Sequence, residues 1–244
     1  MAKAVWQAKG RAPSAVTLAA VALAGMIGFG APLLAEEKGT HDHDHTHSHD
    51  HAHGGGEKLS AEVQEKLKQF ASGYFDDSDV APRPLADWEG EWRSVYPLLQ
   101  SGKLDPVWEH KAEKGDKTAA GYRAYYETGY RGTVGKIDIK GDQIRFEGEG
   151  GAVSGTYASD GFEILTYEKG NRGVRFIFKK TAGDAGAPGF IQFSDHIIAP
   201  QKADHYHLYA GDDRAALLEE MENWPTYYPA SLSDDEILTE MLAH

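Results

Sequence analysis

Twelve histidines and no cysteine define the chemistry open to this chain. Seven of them, His41, His43, His45, His47, His49, His51 and His53, fall at every second position in "HDHDHTHSHDHAHGGG". The other five are His110, His196, His205, His207 and His244, and three of these crowd into "DHIIAPQKADHYHLY". Without thiolates, a transition metal can be held only by imidazole and carboxylate, a set that suits zinc, copper and nickel.

His205 and His207 are two apart in a strand-like stretch, so they face the same side, ~6.6 Å apart along the strand. His196 falls on the preceding predicted strand, "FIQFSDHII". If the two strands form an antiparallel hairpin with His196 opposite His205 or His207, all three imidazoles share one face. A slip of one residue would send His196 to the other side. Directly opposed side chains have Cβ atoms ~4.5–5.5 Å apart, close enough for two or three imidazoles to share Zn²⁺ at ~2.0–2.1 Å and leave one position for water. An exposed His-x-His pair is also ordinary strand surface; the third histidine and the His-rich tail favour the metal. Asp195 and Asp204 flank the set and, by strand alternation, read as turn and edge residues. His110 reads as the surface of a helix. The terminal His244 carries an imidazole and a carboxylate and is a candidate fourth ligand, or a frayed end.

The elements that must position these residues follow from changes in period. "LSAEVQEKLKQFASGYF" places Val63, Leu67, Phe70 and Tyr74 at helical spacing behind Ser60 as N-cap. "LADWEGEWRSVYPLLQSG" reads as short helical turns with its two tryptophans in the core. Asp105-Pro106 opens another helix, and Thr118 caps one through "AAGYRAYYETGY". From Tyr130 onward, "TVGKIDI", "QIRFEGE", "AVSGTYA", "FEILTYE", "GVRFIFKK", "FIQFSDHII" and "HYHLYA" are short β-branched and aromatic runs. They are separated by turn chemistries such as "KGD", "SDG" and "KGNRG" and predict an antiparallel meander or barrel. "NWPTYYP" reads as a packing cluster for C-terminal helices. Asp212 is placed to cap "DRAALLEEMEN", and Ser233 to Glu236 form a capping box before "ILTEMLAH". The fold class is therefore mainly β with N- and C-terminal helical flanks.

Residues 1–35 carry Lys3, Lys9 and Arg11 ahead of the apolar run "AVTLAAVALAGMIGFGAPLLA", the pattern of a signal peptide cut after Ala35. The competing reading is a membrane anchor, since the run approaches the ~20 residues of a span. Cleavage removes three basic and no acidic residues, taking the formal charge from −13 to −16. Such a charge disfavours nucleic acid and anionic membranes and suits cations. Residues 36–56 have almost nothing apolar to bury and read as a disordered, His-rich metal-binding tail on a glycine hinge. Residues 57–244 form the folded domain. The expected location is the periplasm, with no stable membrane insertion after cleavage.

No GxSxG, HExxH or phosphate-loop motif is present. "DWEGEWRSVYPLLQSGKLDPVW", "GVRFIFKK", "FIQFSDHIIAPQKADHYHLYAGDD" and "LLEEMENWPTYYPASLSDDEI" resemble the ZinT (YodA) family of periplasmic zinc-binding proteins over about residues 60–244. The resemblance implies a calycin, lipocalin-like antiparallel β-barrel with added helices. It also implies zinc, and cadmium, bound at the barrel mouth by His196, His205 and His207, and work with the solute-binding protein ZnuA of a ZnuABC-type zinc importer. Some relatives carry a cysteine pair that this chain lacks. The favoured expectation is a zinc carrier that is not an enzyme. The alternatives are a zinc-dependent hydrolase using the same three histidines, for which no general acid or base stands out, and a lipocalin-type binder of an apolar molecule in an empty barrel.

Overall fold

The computed structural model describes residues 61–168, 170–219 and 221–243. The expected signal peptide, the His-rich tail, the Ser60 cap and His244 lie outside the described residues. Eight strands run β1 (Gly90–Ser94), β2 (Val134–Lys140), β3 (Gln143–Gly148), β4 (Gly151–Thr166), β5 (Arg172–Gly183), β6 (Phe190–Ser194), β7 (Tyr206–Gly211) and β8 (Thr226–Pro229). Each pairs antiparallel with the next, and β1 pairs with β8, closing the barrel. Among the described residues five α-helices accompany it: α1 (Ala61–Ala71), α2 (Tyr96–Gln100), α3 (Asp105–Lys114), α4 (Ala119–Tyr130) and α5 (Asp234–Ala243).

Period-2 alternation separates two cores. Inside the barrel, Trp88 stacks on Phe193 with centroids 4.7 Å apart, amid Phe176, Phe178, Tyr206 and Tyr227. These rings fill the interior, so it is not the empty apolar cup a lipocalin-type ligand would need. Outside, Tyr228 joins Leu99, Trp108, Tyr130 and Ile237 in the cluster that holds the helices. Adjacent tyrosines of β8 thus serve opposite faces. Trp88 and Trp92 are both core, as their spacing suggested, and Trp92 Nε1 donates to the Trp88 carbonyl at 2.8 Å.

Several elements differ from the expectation. "GEWRS" is a strand, not helical turns. Gly90 has a φ of +137°, which no helix accepts, and the ladder bonds offered by β2 and β8 outweigh the weak helical period of the apolar residues. The two strands expected on either side of "SDG" are one 16-residue strand, β4. Its register against β5 shifts between Ser159 and Phe162, and Gly161 takes a φ of +88°, so the segment is a bulge rather than a turn. "NWPTYYP" supplies β8, the closing strand. The helix expected after Gly211 is only a 3-10 turn at Ala216–Leu218. Asp213 Oδ1 accepts the Ala215 and Ala216 N–H groups there, while Asp212 instead accepts the Gly189 N–H. Asp105 is the first helical residue of α3 rather than its cap, with Pro106 following.

Two caps form as expected. Gly121 N–H donates to Thr118 Oγ1 at 3.1 Å. Ser233 and Glu236 exchange reciprocal bonds at the start of α5. On α1, Leu67 is exposed, and Tyr74 is exposed beyond the helix end, so that helix does not bury the full stripe its spacing suggested.

Candidate metal centre

Tyr206 points into the barrel and is fully buried, so its neighbours His205 and His207 point outward, toward the helices. His207 is the second residue of β7, and His205, expected on the strand, lies just before its first residue. The imidazoles therefore lie at the barrel rim on its outer face, a refinement of the expected position at the mouth. Register places His207 between Ser194 of β6 and Thr226 of β8.

His196 is not on a strand. The chain leaves the sheet after Ser194, and His196 lies in the following loop with a φ of +64°. It is the one non-glycine residue with positive φ among those described. Such a conformation costs about 1–3 kcal/mol and persists only where the surroundings impose it. The alternation still holds past the strand end: Ser194 shares the His207 face, Asp195 turns in and is buried, and His196 turns out and is exposed.

Arg83 imposes the loop. Its guanidinium is buried over the Trp88 ring at 4.0 Å. It donates to Asp195 Oδ1 at 2.6 Å, to the Ile197 carbonyl at 3.2 Å, to the Gln201 carbonyl at 2.7 Å and to Asp87 Oδ2 at 2.9 Å. Asp195 Oδ1 also accepts the Ile197 N–H at 3.2 Å, and Asp87 Oδ2 the Gln201 N–H at 3.0 Å. Asp195 is thus a buried anchor of the ligand loop, not the ordinary turn residue expected. Burial pushes its carboxyl above the usual value, with Arg83 pulling the other way. Nothing in "APRPLAD" marked Arg83 as the anchor of this loop, because all its partners but Asp87 lie more than a hundred residues away.

The three rings form a near-equilateral triangle, with centroids 5.7, 5.7 and 5.8 Å apart. One nitrogen from each lies within 4.8 Å of the others. A tetrahedral zinc needs nitrogens roughly 3.3 Å apart for bonds of ~2.0–2.1 Å, so modest ring rotations complete the geometry. His205 is steadied by stacking on Tyr228, 5.2 Å between centroids at 16°.

The orientation of His207 is forced by a hydrogen-bond relay. Thr226 has one hydroxyl proton and donates it to the Trp224 carbonyl at 3.0 Å. Its oxygen can then only accept from His207 Nδ1 at 2.8 Å. The proton is on Nδ1, and the Nε2 lone pair is free for a metal. Burial first, then His196, His205 and Arg175, push the His207 pKa well below its ordinary value. It is neutral at pH 7 and needs to release no proton on binding.

The triad opens on a cavity of ≈ 820 Å³. Its other walls come from α1 (Phe70), α4 (Tyr125, Tyr126) and α5 (Glu240, Met241). His110 is not brought to the triad. It lies on the surface of α3 with Nδ1 3.6 Å from Glu113. Asp204 is exposed at the cavity edge.

Residues 66–244 match the family described as ZinT (YodA) periplasmic lipocalin-like zinc-recruitment. The chain is 53% identical over 181 residues to the probable metal-binding protein YrpE of Bacillus subtilis strain 168, covering 74% of this chain and 72% of YrpE. It is 48% identical over 191 residues to the zinc-binding lipoprotein AdcA of Streptococcus pneumoniae serotype 4, covering 78% of this chain but only 38% of AdcA. The crystal structure of the Zn(II)-bound ZinT-like domain of that species' AdcA superposes with a TM-score of 0.69 at 49% identity, covering 71% of this chain and 97% of the domain. This family recruits zinc and is not a family of enzymes, so the hydrolase alternative falls. With its closed eight-stranded barrel, flanking helices and near-complete domain match, the chain belongs to the ZinT (YodA) family.

Proposed function

We propose that this protein is an exported zinc-binding carrier whose primary site is His196, His205 and His207. The observation that carries the reading is the triangle of three imidazoles, with His207 oriented by Thr226. The Zn(II)-bound state of the related AdcA domain and the metal-binding description of YrpE support it. Imidazole ligands also accept cadmium. The leader at residues 1–35, cut after Ala35, would place the carrier in the periplasm, with residues 57–244 as the folded unit. The tail at residues 36–56 would add weak sites through His41, His43, His45, His47, His49, His51 and His53. A low-complexity run that had to order itself for each ion would bind with lower affinity per site. The recipient would be a ZnuA-type binding protein of an ABC zinc importer, to which the carrier yields its ion when zinc is scarce.

Zinc titration against a competing chelator tests the site on four proteins: the exported chain, a version without residues 36–56, the His196/His205/His207→Ala triple variant, and both changes together. One tight site should survive tail deletion and vanish in the triple variant. Loss of the tight site on tail deletion alone refutes the assignment. Equal growth under chelation without residues 41–53 would refute the role given to the tail. Transfer of zinc to a purified ZnuA-type protein, at a rate faster than free dissociation, tests the partner.

A further inference from the structure

Two arginines are buried among the described residues, Arg83 and Arg175. Arg83 is held by two carboxylates and two carbonyls. Arg175, only 1% exposed, has no such partners. Its neighbours Val174 and Phe176 belong to the barrel core, so Arg175 points outward, to the face that carries His207. Glu163 stands directly across from it on β4, but that carboxylate accepts from Arg214 at 2.9 Å. Arg175 Nε and Nη1 have no hydrogen-bond partner, and no described carboxylate forms an ion pair with the side chain. The guanidinium lies instead over the ring of Tyr209, with Cζ 3.2 Å from its centroid. Tyr209 is on β7, two residues after His207 and on the same face. The charge therefore reaches from β5 across β6 to the strand that presents His207. After burial, His196 and His205, it is among the causes that lower the His207 pKa. Side chains two apart on a strand stand ~6.6 Å from each other, which puts the guanidinium on the order of 10 Å from an ion at the triad. A lone buried charge opposes folding, and a ring face recovers only part of the cost. Arginine does not escape by losing its proton. An apolar side chain of similar volume would pack as well at no such cost, so the charge points to function.

We propose that Arg175 sets the release of the ion: its buried, unpaired positive charge repels the dication held by His196, His205 and His207 and keeps it exchangeable. The proposal rests on the triad reading above. Arg175 is not a ligand, since a guanidinium has no lone pair to offer. It acts through its field, and imidazole ligands bring no negative charge to offset it. At about 10 Å and an effective dielectric of about 20–40, this repulsion weakens a dication roughly 10- to 100-fold. A carrier has to yield its ion, and a fixed charge beside the site lowers affinity without altering the three ligands or their geometry.

The experiment measures Zn²⁺ affinity against a competing chelator, and the Zn²⁺ dissociation rate, on the exported chain and its Arg175→Met, Arg175→Gln and Arg175→Lys variants. Both neutral variants should bind zinc about 10- to 100-fold tighter and release it more slowly, while Arg175→Lys stays near the wild type. Repulsion scales with the charge of the ion, so Ag⁺ should gain only about the square root of the zinc factor. The metal-free neutral variants should melt no lower than the wild type, since an unpaired buried charge has been removed. A merely structural arginine would give weaker binding and lower melting points instead. The proposal is overturned if zinc binds both neutral variants no more tightly than the wild type, if Arg175→Lys matches them, or if Ag⁺ gains as much as Zn²⁺. It also falls if both neutral variants fail to fold, since the guanidinium is then structural; if only one fails, the other decides. If the triple-histidine variant retains the tight site, the triad reading itself fails, a result distinct from all of these.

Discussion

Replacing Arg83 with methionine tests the claim that one buried guanidinium holds the ligand loop. The substitution keeps an unbranched apolar stem over Trp88 but removes every bond to Asp195, Ile197, Gln201 and Asp87. The Arg83 and Asp195 side chains are both fully shielded, so solvent screening does not soften the loss. Removing one partner of such a pair leaves a buried uncompensated charge and costs about 3–5 kcal/mol. In a domain of this size, about 2–4 °C of Tm accompanies each kcal/mol, so the melting point should drop by roughly 6–20 °C. The double replacement Arg83→Met with Asp195→Asn removes both charges and should recover a large part of that loss. Zinc affinity should fall as well. The loop imposes a φ of +64° on His196, and relaxing that strain requires about 1–3 kcal/mol to be reinvested when the ion binds. That corresponds to roughly 5- to 150-fold weaker binding, because 1.4 kcal/mol is a factor of ten. Urea or thermal denaturation and chelator-competed zinc titration on the wild type, both singles and the double supply the readouts. A loss below about 1 kcal/mol with unchanged zinc affinity would refute the reasoning.

Thr226→Val keeps the shape of β8 but removes the acceptor that fixes His207. Zinc affinity should fall by about 10–100-fold, with Thr226→Ser close to wild type; equal affinities for all three would sink the relay. The metal-free protein should also lose stability in acid through His207. Its folded pKa lies below the unfolded value of 6.5, so as pH falls below 6.5 the unfolded chain takes up the proton first. Its contribution is complete above about pH 6.5 and declines below it by up to about 1.4 kcal/mol per pH unit, until the folded form also titrates. Chemical denaturation from pH 7.5 to 5 should show that slope reduced in His207→Gln; parallel profiles would contradict it.

The sequence alone carried the candidate ligand types and the antiparallel character of the sheet. Both depend on local signals: residue chemistry, period-2 alternation and turn residues. The His-x-His spacing determined that His205 and His207 share a face, because alternation is a property of a single strand. Likewise Thr118 and the Ser233–Glu236 box act within one helical turn, and both caps form where the sequence placed them.

Only the tertiary structure decided the rest. β1 and β8 are strands because each other's edges, and those of β2 and β7, were available to satisfy their backbone; their own residues read as helical turns and a packing cluster. His196 reaches the triad through a strained loop and not through strand register, and the cause is Arg83, 112 residues before Asp195. The outward direction of the site and the Thr226 relay depend on elements that meet only after the barrel closes. Local sequence can specify which groups are available and how they alternate. Their convergence on one point is set by long-range packing and by buried charge that must find its partner.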